Sequence, residues 1–147
     1  MYQRILIETD GSKLSKIAVS SGIQLAELTG AQVIALKVVP RYPMSYFEGG
    51  LAVSTMDAAK IEEEWAENGQ AIVEAVAASA VARGVTAKAV TVKSDLVAEA
   101  IINTARKHKC DLIVMASHGR KGIKRLLMGS ETQHVLTHSH IPVLVLR

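Results

Sequence analysis

The residues best suited to chemistry lie in one stretch near the end of the chain, Ser117-His118-Gly119-Arg120-Lys121-Gly122, which runs on to Gly129-Ser130. An apolar run, Leu112-Ile113-Val114-Met115, leads into it, and a helix-period segment follows. A buried strand that breaks into a Gly-containing, basic loop and ends on a helix N-terminus can hold a phosphate. N–H groups at such a terminus have no intrahelical partner, and the helix dipole favours an anion there. Gly119 and Gly129 let the main chain approach an anion without a Cβ clash, and Ser130 offers both an N–H and a hydroxyl. His118, Arg120, Lys121, Lys124 and Arg125 carry the positive charge. Asp10, in the turn Asp10-Gly11-Ser12, is an acceptor suited to an adenine amino group or a ribose hydroxyl. The expected chemistry is nucleotide recognition. Taken alone, the same residues also fit plain turns and a solubilising basic loop. The loop matches neither the Walker P-loop nor the dinucleotide fingerprint G-x-G-x-x-G.

These residues must be positioned by the elements around them. Ile5-Leu6-Ile7 is a short apolar run stopped by Asp10-Gly11-Ser12. From Leu14 the spacing becomes helical, with Leu14, Ile17, Ala18, Ser21, Leu25 and Leu28 on one face, Ser12 as N-cap and Gly30 beyond the end. Val33-Ile34-Ala35-Leu36-Lys37-Val38-Val39 reads as a buried strand stopped by Pro40. Strand, helix, strand implies a right-handed crossover and a parallel sheet. Residues 41–55 have no clean period and form a loop long enough for a lid or a partner contact. A long helix follows over 57–83, with Ala58, Ile61, Trp65, Ile72, Val76 and Ala80 in one stripe and Glu62-Glu63-Glu64 on its solvated face. Residues 85–92 alternate as a strand exposed on one side. Ser94 or Asp95 caps a third helix with Val97, Ala100, Ile101, Ala105 and His108 inward. The fourth strand is Leu112-Ile113-Val114-Met115 and the fifth Pro142-Val143-Leu144-Val145-Leu146. Ile123, Leu126 and Leu127 suggest one further apolar helical turn. Ser130 with Gln133 makes a capping-box pattern that starts a last helix near Glu131. The expected fold is an open, five-stranded parallel α/β sheet of order 3-2-1-4-5 with helices on both faces, Rossmann-like, in a single domain over 1–147.

Composition agrees. Of 147 residues, 49% are hydrophobic but only 3% aromatic, which suits small helical side chains packed on β-branched strands. A net charge of +3 admits an anionic ligand without demanding nucleic acid. One cysteine, Cys110, excludes an internal disulfide and fits a reducing cytosol. No signal peptide or membrane-length apolar run is visible, so a cytoplasmic protein with no membrane partner is expected.

In an open parallel sheet, ligands sit beyond the carboxyl ends of the strands. Asp10 to Ser12, Lys37 to Arg41 and Ser117 to Ser130 fall on that edge, whereas His108, Cys110, His138 and His140 fall on the opposite one. His134 and His138 are four apart, but without the glutamate of a zinc-protease motif they read as helix-end histidines and no metal site is expected. Cys110 reads as a packed thiol. No nucleophile elbow supports a Ser–His–Asp hydrolase.

The chain resembles the universal stress proteins over essentially its full length. The likeness rests on Ile5-Leu6-Ile7-Glu8-Thr9-Asp10-Gly11-Ser12, the strand 33–39, Asp111-Leu112-Ile113-Val114-Met115, Ser117-His118-Gly119, Leu126-Leu127-Met128-Gly129-Ser130 and Ile141-Pro142-Val143-Leu144-Val145. Nucleotide-binding members carry G-x2-G-x9-G-[S/T] in the fourth-strand loop. Here Gly119 and Gly129 match with nine residues between them and Ser130 next, while Ala116 replaces the first glycine. The resemblance implies that the loop wraps ribose and phosphates, and that Asp10 and the main chain of Val38 meet the adenine. The expected nucleotide site is therefore Thr9, Asp10, Val38, Met115, Ala116, His118, Gly119, Arg120, Gly129, Ser130, Glu131 and Thr132. Its ligand is ATP, or ADP or AMP, with or without magnesium. Hydrolysis needs a carboxylate-held metal and a group that positions water; Asp10 is the one carboxylate clearly on the ligand edge, with Glu8 and Glu131 near, and His118 reads as a phosphate-contacting or hinge histidine rather than a base. Binding with at most slow turnover is expected. The resemblance also implies a homodimer through the edge strand 142–146, acting as a stress sensor or regulator. The rival expectation is an interaction module that binds no nucleotide and works through its dimer surface and the 41–55 loop.

Overall fold

Strands that are apolar on both sides need cover on both faces, and that requirement orders this molecule. The computed structural model describes residues 1–43, 55–119 and 128–147. Its elements in chain order are β1 (Arg4–Glu8), α1 (Lys13–Thr29), β2 (Gln32–Val39), α2 (Thr55–Ala82), β3 (Ala87–Lys93), α3 (Val97–Lys107), β4 (Leu112–Ala116), α4 (Ser130–His138) and β5 (Val143–Leu146). The strands form one sheet in the order β3-β2-β1-β4-β5, and every neighbouring pair is parallel. The sheet order and the helices match the expected α/β architecture.

Successive strand side chains point to opposite faces, so each central strand feeds two cores. Ile5, Ile7, Val33, Ala35, Leu112 and Val114 pack with α1 and α2 through Ala18, Ile23, Ala26, Val73, Val76 and Ala80. Leu6, Ile34, Leu36, Val38, Ile113 and Met115 pack with Ala98, Ile101, Ile102 and Ala105 of α3 and Val135 of α4. The outer strands β3 and β5 are only partly buried, which explains the alternation visible in residues 85–92.

The inner line of α1 is rotated from the expected one. Ile17 and Leu28 are 51% and 79% exposed, and the buried positions are Ser15, Ala18, Gly22, Ile23 and Ala26. The reason is close approach: a Cβ on Gly22 would lie 2.6 Å from Cδ1 of Ile7, so small residues face the sheet and large ones lie aside. Ser12 does cap α1, its hydroxyl accepting from the Ser15 N–H, and Gly30 ends it at φ 73°.

Two expected caps are not made. Leu96, not Ser94 or Asp95, stands at the N-cap of α3, and the Ser94 hydroxyl instead accepts from the Leu96 N–H at 3.0 Å. The N–H of Ala98 in the first turn donates to Oε2 of Glu131 at 3.1 Å, so α4 caps α3 from across the fold. At α4, Gly129 is the N-cap and Ser130 is already helical. Gln133 sends its side-chain amide to the Met128 carbonyl at 2.9 Å, and the Ser130–Gln133 capping box does not form. Most of the 41–55 loop and the helical turn expected around Ile123 lie outside the described residues.

Candidate functional site

The chain runs outward from β1 through β2 to β3, then crosses back over β1 to β4 and β5. Connections therefore diverge beyond β1 and β4, which leaves a crevice at the carboxyl ends of the strands. A cavity of about 740 Å³ fills it. Among the described residues its walls come from Glu8 at the end of β1, Asp10 after it, Ser15 of α1, residues 37–40 at the end of β2, and Trp65, Asn68, Gly69 and Ile72 of α2. Val97 and Ile101 of α3, Met115, Ala116, His118 and Gly119 after β4, and Gly129, Ser130, Glu131 and Thr132 at the start of α4 complete it.

The turn after β1 is held by short side chains. The Asp10 carboxylate accepts from the Ser12 N–H at 2.9 Å, and Thr9 Oγ1 accepts from the Gly11 N–H at 3.1 Å. Gly11 sits at φ 81°, a conformation that glycine adopts without strain. Thr9 is buried, shares a hydroxyl bond with Ser15 at 3.0 Å, and does not line the cavity. It builds the turn that presents Asp10.

The turn meets the fourth-strand loop at Gly119, where an added Cβ would lie 2.6 Å from Oδ2 of Asp10. The absent side chain thus lets the loop pass directly over that carboxylate. Gly129 answers from the other end of the loop, its N–H donating to the Ser117 carbonyl at 2.7 Å. A Cβ there would lie 3.3 Å from both Ser117 O and His118 Cα, atoms of the main chain that cannot swing aside. Gly129 therefore spends its own amide on closing the loop. The N–H groups offered to an anion begin with Ser130, the first residue of α4. Thr132, buried beneath, donates its hydroxyl to the Ala116 carbonyl at 2.9 Å and ties helix to strand. His118 shares a hydrogen bond between Nδ1 and the Ser117 hydroxyl at 3.2 Å.

The base of the cavity is charged. Glu8 ends β1 in the row of Leu6, on the α3 and α4 face, as strand alternation requires. Burial pushes its carboxyl up to about 7, Asp10 and Glu131 adding to the shift and Lys37 opposing it. Lys37 lies on the other face, its stem against Gly69 and its Nζ donating to the Val38 carbonyl at 3.0 Å. That bond engages the main chain of Val38, the residue whose backbone is expected to meet an adenine. Trp65 of the cavity wall stacks on Tyr42 with ring centroids 6.1 Å apart, and the Tyr42 N–H donates to Glu62 at 2.7 Å.

Of the expected site residues, Asp10, Val38, Met115, Ala116, His118, Gly119, Gly129, Ser130, Glu131 and Thr132 are brought together around one cavity. Thr9 stands behind it, and Arg120, with Lys121, Lys124 and Arg125, lies outside the described residues. Sequence reasoning missed Trp65, Val97 and Ile101, whose helical spacing marked them only as core; it placed Lys37 on the ligand edge and Glu8 near it but left both out of the site. A charge at the end of one apolar strand run, Glu8, and a charge interrupting another, Lys37, were the available signals. The groups on the opposite edge stay apart from this chemistry. His134 and His138 stack on each other at 4.1 Å, and burial pushes the Cys110 thiol up to about 11. Among the described residues no three His, Cys, Asp or Glu side chains gather as a metal site.

A parallel sheet of this order with a glycine-lined crevice at its switch point defines an open, Rossmann-like α/β fold. The comparisons narrow it: the model of the Universal stress protein family matches residues 1–147, and the chain belongs to that family. A universal stress protein of Methanocaldococcus jannaschii is 35% identical over 147 residues, covering 100% of this chain and 83% of the relative. A second protein from that organism, MJ0577, has a solved structure with a TM-score of 0.83 at 27% identity, covering 99% and 96% of the two chains. A universal stress protein solved in complex with cAMP superposes at a TM-score of 0.69 with 26% identity, covering 99% and 97%.

Proposed function

We propose that this chain binds an adenine nucleotide in the cavity at the sheet switch point and acts as a homodimeric stress sensor or regulator. The observation that carries the reading is the convergence of Asp10, Gly119, Gly129 and Ser130 on one cavity of about 740 Å³, although they come from distant parts of the chain. The relative bound to cAMP supports the ligand class. In this reading the first-turn amides of α4 hold phosphate, the Asp10 carboxylate accepts from ribose or base, and Met115, Ala116 and Val38 supply apolar contact. ATP, ADP and AMP share these features. With no cluster of metal-ligating side chains among the described residues, magnesium enters on the phosphates rather than in a protein cage. In this reading turnover is at most slow. The protein is cytoplasmic, and the dimer forms through β5, an edge strand whose Leu144 is 38% exposed.

One observation favours the rival reading of a nucleotide-independent interaction module: Glu8, Asp10 and Glu131 all line the cavity and oppose an anion. Melting temperature with and without millimolar ATP and magnesium separates the two. A ligand at a hundred times its dissociation constant stabilises the fold by about 2.7 kcal/mol, which is an easily read shift. An unchanged melting temperature would favour the interaction module.

A further inference from the structure

We propose that Glu8 couples ligand occupancy to proton uptake: the pocket takes its anionic ligand with the Glu8 carboxyl neutral, so it empties as the surroundings become more alkaline. The proposal rests on the nucleotide-binding reading and adds a regulation to it. Glu8 lies at the end of β1 and lines the cavity, and no hydrogen bond to its carboxyl is found among the described residues. The groups that face it are Asp10 from the turn after β1, Lys37 from β2 and Glu131 from α4. His118 also lines the cavity, while α2 and α3 contribute the uncharged Trp65, Asn68, Ile72, Val97 and Ile101. Among the described residues, three carboxylates therefore share the space with His118 and one lysine, whose ammonium is bonded to the Val38 carbonyl.

A phosphate entering this space adds negative charge near Glu8, Asp10 and Glu131. Like charges in such a site cannot all stay ionised, and the carboxyl with the highest proton affinity yields first. Glu8 is that group, being raised to about 7 before any ligand arrives. The bound ligand raises it further, so at pH 8 binding must draw a proton from solution. Once neutral, the carboxyl turns from an acceptor into a donor and can hydrogen-bond a ring nitrogen or ribose oxygen.

The test uses cAMP, a phosphodiester whose single charge does not change between pH 6 and pH 9. Fluorescence of Trp65, the chain's single tryptophan and part of the cavity wall, reports occupancy. The expected result is a dissociation constant that rises by up to about tenfold per pH unit above neutrality in the wild type and stays flat in Glu8→Gln. Calorimetry of the wild type at pH 8, in two buffers of different ionisation enthalpy, is expected to show uptake of close to one proton per cAMP. This second measurement needs no variant to fold. A flat profile in the wild type, or the same slope in Glu8→Gln, overturns the proposal and leaves nucleotide binding intact. Failure of cAMP, AMP and ATP to bind at any pH, in wild type and variant alike, removes both.

Discussion

Replacing Glu8 by glutamine should stabilise the ligand-free protein, and only in neutral and alkaline solution. The carboxyl is raised from an ordinary 4.5 to about 7 by burial and by its acidic neighbours Asp10 and Glu131. The folded state then holds a proton that the unfolded state has released over that interval. Stability therefore falls as pH rises from about 4.5 to about 7 and is level beyond it. At 1.36 kcal/mol per pH unit, the full interval corresponds to about 3 kcal/mol. That figure is an upper bound, because the carboxyl reaches water through the cavity mouth. For a chain of this length each kcal/mol moves the melting temperature by about 2–4 °C, so Glu8→Gln should melt up to about 10 °C higher at pH 8. At pH 4.5 wild type and variant should melt together, since both then carry an uncharged side chain. Thermal melts at the two pH values, with urea titrations to convert them into free energies, make the comparison. A variant equally shifted at both pH values, or less stable than wild type at pH 8, would refute the reasoning.

Three other outcomes are expected. Gly129→Val should abolish the ATP-induced rise in melting temperature, because its Cβ alone would lie 3.3 Å from Ser117 O and His118 Cα; His138→Ala, at the far end of α4, should keep it. The reverse pattern would move the site to the opposite edge of the sheet. Thr132→Val removes the buried hydroxyl bond to the Ala116 carbonyl and should cost about 1–2 kcal/mol in urea denaturation, a loss absent if that hydroxyl were solvated. Cys110, buried with its thiol pushed up to about 11, should react with Ellman's reagent at pH 8 only after denaturation; rapid stoichiometric reaction of the native protein would contradict its placement.

What the sequence revealed followed from periodicity and punctuation. Ile5-Leu6-Ile7 and Leu112-Ile113-Val114-Met115 could only be buried strands, and Asp10-Gly11-Ser12 could only turn. The order of elements and the crossover rule then implied a parallel sheet and the edge that carries the glycines. What escaped was set by tertiary approach. Hydrophobicity placed Ile17 and Leu28 inside, yet Gly22 sits so close to Ile7 that the helix turns its small residues inward. The caps failed for a related reason: a local pattern such as Ser130 with Gln133 competes with partners that only folding supplies, as Glu131 does for the Ala98 N–H. Glu8 was plain in the sequence as a charge after an apolar run. Its environment depends on Lys37 and Glu131, which lie far along the chain and meet it only across the crevice.

The central claim is that phosphate rests on the bare amides at the start of α4. A crystal structure grown with saturating ATP and magnesium tests it most directly. The account predicts phosphate oxygens within hydrogen-bonding distance of the Ser130 N–H, with the base reaching toward Asp10 and Val38. A cavity holding only water, or nucleotide bound elsewhere on the molecule, would contradict it.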